Sequence, residues 1–424
     1  MFRISFSFRL KWILISLLAA GLVASNSLPT VAAAPGPSGK GTVKSGAVQK
    51  SPKPTTKATG TVKKNSKSVP QRKAAKTQVN TGALKITADA AVLIDAGSGQ
   101  VLYEKNALKR RAPASTTKIM TAILAMEYGN VADVVTVSDK AGKVGQASLH
   151  LNPGQKLTLG NLIEGAMIKS GNDACVAIAE HVGGTEETFV RMMNAKAKVL
   201  GAHNTQFANT NGLPNSQHYS TAYDLAMIAR YGTKIPRFAE ITKTREADIE
   251  FIEPNSALHI RNTNKLLWMY QFADGVKTGT TNAAGKCLVS SATKNGRQLI
   301  AVVLDSPGRF TDSIKLLEYG FNNFKPVALV QAGDEVSVFP IENGSAPEVH
   351  VVAGETVEFL ALPGDGEKVV KKIIWARPQV APVTAGEQLG EVQYWLRDRQ
   401  IGQAQLIATK NVQEKGFFAK LINW

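Results

Sequence analysis

An α+β catalytic region followed by a small all-β domain is the fold class that this 424-residue sequence predicts. Three observations carry it. Strand–turn–strand patterns open and close the stretch from residue 84 to residue 304, helical spacing fills the middle, and beyond Phe324 short alternating runs separated by Gly and Pro take over. The length allows two or three domains, and 44% hydrophobic residues is ordinary for a globular protein.

The chain begins with its most basic part. Residues 1–88 hold 15 Lys and Arg and no acid, leaving 35 Lys and Arg against 33 Asp and Glu, so the net charge of +17 belongs to a tail. Arg3, Arg9 and Lys11 precede the apolar run from Trp12 to Val23, which is short for a membrane span, and Val31-Ala32-Ala33-Ala34 offers a small-residue cleavage site. Residues 1–34 are therefore expected to be a secretory signal peptide. An uncleaved N-terminal anchor is the other reading, because Pro35 follows the cleavage point. Both export the chain, which excludes nucleic acid as the partner of its charge. Residues 35–82, built from Lys, Thr, Ser, Pro and Gly, cannot bury a core and read as a disordered Lys-rich linker. It is either a solvated spacer or, through eleven positive charges from Lys40 to Lys76, a tether to anionic envelope polymers.

Order is expected from near Leu84, in a catalytic domain spanning 83–325. Ala90 to Asp95 and Gln100 to Tyr103 flank Gly97-Ser98-Gly99 and read as strand, turn and strand. Next comes Pro113-Ala114-Ser115-Thr116-Thr117-Lys118. Pro113 suits the first turn of a helix, and Ile119, Met120, Ala122, Ile123, Leu124 and Met126 make that helix apolar almost all round. On it Ser115 and Lys118 are separated by roughly 300° of turn and about 4.5 Å of rise, so they share a face. A hydroxyl needs a base to become a nucleophile, and a lysine kept neutral by burial can be that base. The bland reading of Ser115 is a cap at the start of a core helix. A second Ser-x-x-Lys, Ser291 to Lys294, lies in a strand pattern that would point its two ends to opposite faces.

Further along, Val134 to Val137 is a short strand and Asn152-Pro153-Gly154 a turn. A helix from Leu159 to Met167 stops at Lys169-Ser170-Gly171-Asn172, and another resumes at Asp173. Such a joint can push Ser170 and Asn172 into a cleft, or it can be a turn using Gly and Asn for their backbone freedom. Asp274 to Thr281, which contains Lys277-Thr278-Gly279-Thr280, then opens a run of adjacent antiparallel strands with Lys286 to Ser290, an Asn295-Gly296 turn, and Leu299 to Leu304. Gly279 within a strand marks a close approach to its backbone.

Ser-x-x-Lys at 115, Ser-x-Asn at 170 and Lys-Thr-Gly at 277 together form the motif set of β-lactamases and penicillin-binding proteins. Asn209 to Leu213, His218 to Ala222, Asn262-Thr263-Asn264 and Leu316 to Phe321 add to the match. Over about residues 85 to 424 the chain resembles the low-molecular-mass penicillin-binding proteins that are serine D-alanyl-D-alanine carboxypeptidases. The resemblance implies a β-lactamase/transpeptidase-like catalytic domain, an antiparallel sheet with helices, acting on peptidoglycan stem pentapeptides and acylated by β-lactam antibiotics. It implies Ser115 as nucleophile, Lys118 as base, and Ser170 with Lys277 as the relay to the leaving amine. Asn172 would orient Lys118 and the substrate amide, and the backbone N–H groups of Ser115 and Thr280 would form the oxyanion hole. The substrate would lie along Lys277 to Thr280, past Gly279, with Arg309 and Thr278 on its free carboxylate. Burial and the neighbouring Lys277 charge are both expected to lower the pKa of Lys118.

No cofactor and no metal is implied, since the six histidines lack ligand spacing and His218 reads as structural. From Thr188 to Ala239 the only acid is Asp224, and Gly171 stands where class A β-lactamases carry Asp, so a long-lived penicilloyl adduct is expected rather than turnover. A D,D-endopeptidase on peptide cross-links and a non-catalytic wall-binding protein are the alternatives. Cys175 and Cys287 each lie in an apolar run; export permits a disulfide, and a buried free thiol is the commoner state there.

Residues 326–412 hold five short runs, Val336 to Val338, Val349 to Val352, Val357 to Leu360, Lys372 to Trp375 and Gln403 to Ala408, which read as a small sandwich or barrel. They resemble the domain that lifts the catalytic part off the membrane in this family. Residues 413–424 carry one apolar face at helical spacing, too short for an independent helix, so weak membrane contact is the most expected of them.

Overall fold

The computed structural model describes residues 84–416. The signal-peptide and linker readings and the end of the tail, residues 417–424, lie outside the described residues.

A five-stranded antiparallel sheet organises the catalytic part, in the order Val101–Lys105, Ala90–Asp95, Arg297–Leu304, Gly285–Lys294, Ala273–Thr281. The first strand of the domain pairs with the last, Val92 opposite Val302 and Ile94 opposite Ile300. Ala90–Asp95 is buried along its whole length, which is why its sequence is a continuous apolar run rather than an alternation. Successive side chains serve two cores. Val92, Ile94, Val289 and Val302 pack toward the helical region with Ile119 and Ile123, while Ala91, Leu93, Leu288 and Val303 pack against Leu316 and Leu317 of the helix Arg309–Asn323.

The strand Ala273–Thr281 ends the sheet order, so one of its edges has no partner strand. Facing it is the turn that carries Ser115. Ala114–Thr117 is a 3₁₀ turn and the α-helix begins at Lys118, running to Tyr128 with Ile119 to Ala125 buried. The expected single α-helix is therefore tighter at its start. The consequence for Ser115 and Lys118 is small, because residues three apart eclipse on a 3₁₀ turn. The second joint is irregular as well: Leu159–Glu164 runs into a π-helical turn, Gly165–Lys169, and the next helix is Asn172–Gly183.

Several elements have no counterpart in the sequence reading, among them the helices Glu186–Val199, Ala222–Gly232 and Pro236–Lys243 and one β-hairpin. Glu246–Glu253 and Ser256–Arg261 form a hairpin in a four-stranded sheet with Val134–Thr136 and Lys156–Thr158. Beyond Phe324 the chain is all β. Lys325–Val330 pairs with Val357–Ala361, and a five-stranded sheet runs Glu335–Pro340, Glu348–Ala353, Arg399–Ala408, Gln388–Leu396, Val370–Trp375. Phe339, Val351, Val392 and Leu406 build its core, with Phe339 edge-on to Trp375 at 4.9 Å. Among the described residues no helix is long and apolar enough to cross a membrane. Cys175 and Cys287 are both free and buried, so the permitted disulfide is not formed. Each thiol instead points at a local carbonyl, Gly171 O at 3.3 Å and Ala284 O at 3.5 Å.

Candidate active site

Close packing of two backbones shapes the crevice. A Cβ added to Gly279 would lie 2.9 Å from Pro113 O and 3.0 Å from Ser115 N, so only glycine lets the strand touch the Ser115 turn. On the other side a Cβ at Gly212 would come within 1.9 Å of Ala114 O. Ala114 itself sits at φ +49°, a left-handed conformation that is strained for a residue with a side chain. A chain of hydrogen bonds braces it. Ala208 N–H donates to His218 Nδ1 (3.3 Å), which puts the ring proton on Nε2, 2.9 Å from Thr117 Oγ1, and the Thr117 hydroxyl donates to Ala114 O at 2.8 Å. Burial pushes the His218 pKa down to about 4, so it remains a neutral strut.

Lys118 is 0% exposed, and its Nζ has three neighbours: Ser115 Oγ at 2.9 Å, Asn172 Oδ1 at 2.8 Å and Asn211 O at 2.8 Å. The Asn172 amide is oriented by its own donation from Nδ2 to Gly145 O at 3.0 Å, which leaves Oδ1 toward the lysine. Two of the three neighbours can only accept. A neutral amine satisfies them with its two N–H bonds and turns its lone pair to the Ser115 hydroxyl. Burial lowers the Lys118 pKa to about 8, opposed by Cys175 and the buried Asp173. Burial first and the Lys118 charge second hold the Lys277 amine well below its usual range.

Lys277 is 1% exposed and donates to Thr278 O at 3.2 Å. Ser170 sits at the joint in a left-handed conformation, φ +72°, and is 6% exposed. Its hydroxyl makes no protein hydrogen bond among the described residues. Arg309, at the start of the last helix, reaches over the strand edge, its Nη1 donating to Gly279 O (2.9 Å) and Thr280 Oγ1 (2.8 Å). Thr278 Oγ1 lies 2.7 Å from Thr263 Oγ1. Ser115, Lys118 and Asn172 thus meet directly, and Thr280 meets Arg309. The other Ser-x-x-Lys is split as its strand pattern predicts: Ser291 is buried and bonded to Asp274, while Lys294 reaches Glu318 at the surface.

A family model described as D-alanyl-D-alanine carboxypeptidase matches residues 74–308, and one described as penicillin-binding protein 5, C-terminal domain, matches residues 324–414. The chain belongs to the D-alanyl-D-alanine carboxypeptidase family. It is 35% identical over 352 residues to the D-alanyl-D-alanine carboxypeptidase DacF of Bacillus subtilis, covering 80% of this chain and 90% of the relative. DacC of Escherichia coli is 35% identical over 353 residues, 79% of this chain and 87% of that protein. Among solved structures, penicillin binding protein 5 from Haemophilus influenzae matches with a TM-score of 0.66 at 32% identity, covering 78% of this chain and 98% of that one. The Streptomyces K15 DD-transpeptidase matches at 35% identity with a TM-score of 0.54, over 56% of this chain and 98% of its own. The β-lactamase/transpeptidase-like fold and the all-β C-terminal domain implied by the motifs are those of the family.

Within this carboxypeptidase fold, sequence reasoning passed over two contributors. Asn211 acts through its backbone carbonyl, which no side-chain motif can advertise. Thr263 stands inside an Asn-x-Asn stretch whose two asparagines were the only hint.

Proposed function

We propose that this chain is an exported serine D-alanyl-D-alanine carboxypeptidase that removes the terminal D-alanine from peptidoglycan stem pentapeptides. One arrangement carries the reading: two fixed acceptors take both N–H bonds of the neutral Lys118 amine, leaving its lone pair to Ser115. Ser115 Oγ attacks the carbonyl between the two D-alanines as its proton passes to Lys118. The C–N bond then breaks, and the departing amine takes a proton relayed through Ser170 and Lys277, while Asn172 holds Lys118 and the substrate amide in place. The N–H groups of Ser115 and Thr280 meet the developing oxyanion, and losing one such donor costs about 3 kcal/mol. The peptide adds as a strand along the free edge from Lys277 to Thr280, with its terminal carboxylate at Thr278 and Arg309. Water attacks the resulting ester and frees Ser115.

β-Lactams acylate the same hydroxyl. Asp224, the single acid between Thr188 and Ala239, is 1% exposed and accepts from Asn204 N–H and the Thr205 hydroxyl. It is unfit to activate a deacylating water, so the penicilloyl adduct persists. The basic linker holds the exported chain against anionic envelope polymers, and the C-terminal tail adds weak membrane contact. Deleting residues 35–82 should lower envelope retention at low salt, and unchanged retention removes that part of the reading.

The deciding experiment labels the protein and its Ser115→Ala variant with a fluorescent penicillin, then analyses digested pentapeptide for free amino acid. Label on the wild type alone with released D-alanine supports the carboxypeptidase. Split cross-links without release would make it an endopeptidase, and absence of label a wall-binding protein.

A further inference from the structure

The Asn262-Thr263-Asn264 stretch takes no part in the chemistry above, yet it is built as a mount. Asn262 and Asn264 are 6% and 0% exposed. Asn262 Nδ2 donates to Thr244 O (2.8 Å) and Asn264 Nδ2 to Gly275 O (2.9 Å) on the Lys277 strand. Their side-chain oxygens accept the N–H groups of Asn264 and Leu266. Between them the Thr263 N–H donates to Ile168 O, 3.1 Å away on the π-helical turn that leads to Ser170. Every polar group of the two asparagine side chains is thus spent on fixing backbone. The Thr263 side chain, in contrast, meets the Lys277 strand hydroxyl to hydroxyl, 2.7 Å from Thr278 Oγ1.

Two hydroxyls at that separation share one hydrogen bond. It uses one of their two protons and leaves the other O–H to donate elsewhere. Neither makes a second side-chain hydrogen bond among the described residues. Thr278 and Thr280 lie on the same face of the strand, and the Arg309 guanidinium is anchored on Thr280 Oγ1 at 2.8 Å. An unspent O–H donor along the same strand face as a guanidinium suits an anionic oxygen.

We propose that Thr263 is a specificity-determining residue: paired with Thr278, it delivers one hydroxyl proton to the free terminal carboxylate of the substrate peptide. The inference rests on the carboxypeptidase reading and deepens it, by naming what makes the site prefer a chain end to a capped chain. Because the mount is locked to backbone, the pair cannot turn away, and its contribution is largest for a charged acceptor.

The test compares kcat/KM on two synthetic peptides ending in D-Ala-D-Ala, one with a free carboxylate and one with a C-terminal amide. The wild type favours the free acid. In Thr263→Val that preference falls about tenfold, through KM, with kcat unchanged, as expected for a lost hydrogen bond to a charged group; Thr263→Ser restores it. A ratio taken on one preparation is independent of the folded fraction, so partial misfolding of a variant does not blur the result. Thr263→Val keeping the wild-type ratio, or Thr263→Ser losing it equally, overturns the proposal while leaving the carboxypeptidase intact. If the wild type releases D-alanine from neither peptide, the carboxypeptidase reading fails and takes this inference with it.

Discussion

The crevice and the C-terminal β domain are built from one chain under opposite rules. In the β domain Glu348–Ala353 alternates, with Val349, Val351 and Ala353 inside and Glu348 and His350 outside, and the left-handed non-glycine residues, Asn343, Arg397 and Asp398, are confined to the turns between strands. In the crevice two lysines are almost wholly buried, and the left-handed residues, Ala114 and Ser170, stand beside the reacting groups. Local preference and tertiary structure agree in the first region and conflict in the second. Conflict of that kind persists only where the surroundings over-determine it, as the Gly212, Thr117 and His218 contacts do around Ala114.

The widest separation of the two regions comes from one substitution in each. Ser115→Ala should lower penicillin acylation by at least about 10⁴-fold with no change in Tm. Phe339→Ala should do the reverse, removing about 3–5 kcal/mol of stability while the acylation rate per folded molecule stays the same. Denaturant melts beside stopped-flow acylation separate the cases, and a slowed Phe339→Ala would mean that the crevice depends on the β domain.

Next is a matched pair of glycines. Gly212 and Gly386 have nearly equal φ, +87° and +85°, but a Cβ at Gly212 would meet the Ala114 carbonyl whereas one at Gly386 meets nothing within 4 Å. Gly386→Ala should therefore cost only about 1 kcal/mol of backbone strain. Gly212→Ala must displace the nucleophile turn, and about 100-fold slower acylation is expected from a misplacement near 1 Å. Equal and small effects on acylation would show that the turn is not held as tightly as its contacts imply.

The buried amine supplies the third contrast. Lys118 must be neutral to take the Ser115 proton, so with its pKa near 8 acylation should fall about tenfold per pH unit below 8 and level off above it. The sign for stability follows from the same shift. The unfolded lysine, with its ordinary value of 10.5, binds protons more readily than the folded one, so this group makes stability rise with pH between about 8 and 10.5. At neutral pH Lys118→Met should abolish acylation yet stabilise the fold by on the order of 1–3 kcal/mol. A loss of stability on that substitution would show that the three hydrogen bonds outweigh the burial of the amine.

What could be read in advance follows the same divide. The strands Ala90–Asp95 and Arg297–Leu304 are legible because burial on both faces leaves a plain apolar run, and β-domain strands such as Glu348–Ala353 because alternation marks their inner face, whereas Lys325–Val330 and Gln388–Leu396 went unread. The three motifs single out Ser115, Lys118, Asn172 and Lys277 because the proposed chemistry needs those particular side chains. Asn211 contributes a carbonyl that every residue has, and Thr263 a hydroxyl whose use depends on Thr278, fifteen residues further on, so neither leaves a local signal. The 3₁₀ start of the Ser115 helix also went unread, since apolar spacing over one turn does not distinguish it from an α turn.

The smallest effect is expected where the two regions meet. Gln100, in the turn after the first strand, pairs its amide with both backbone groups of Leu360, Nε2 donating to the carbonyl (2.6 Å) and Oε1 accepting the N–H (2.7 Å), as an added strand residue would. The neighbouring Arg399–Glu104 pair, 3.1 Å apart and partly exposed, adds little in water. Gln100→Ala should therefore weaken the contact by about 1 kcal/mol, seen as roughly fivefold faster hydrogen exchange at the Leu360 amide and no change in acylation. Slower acylation in this variant would mean that the β domain steadies the crevice through its first strand, and the contrast between the two regions would then be one of chemistry but not of mechanics.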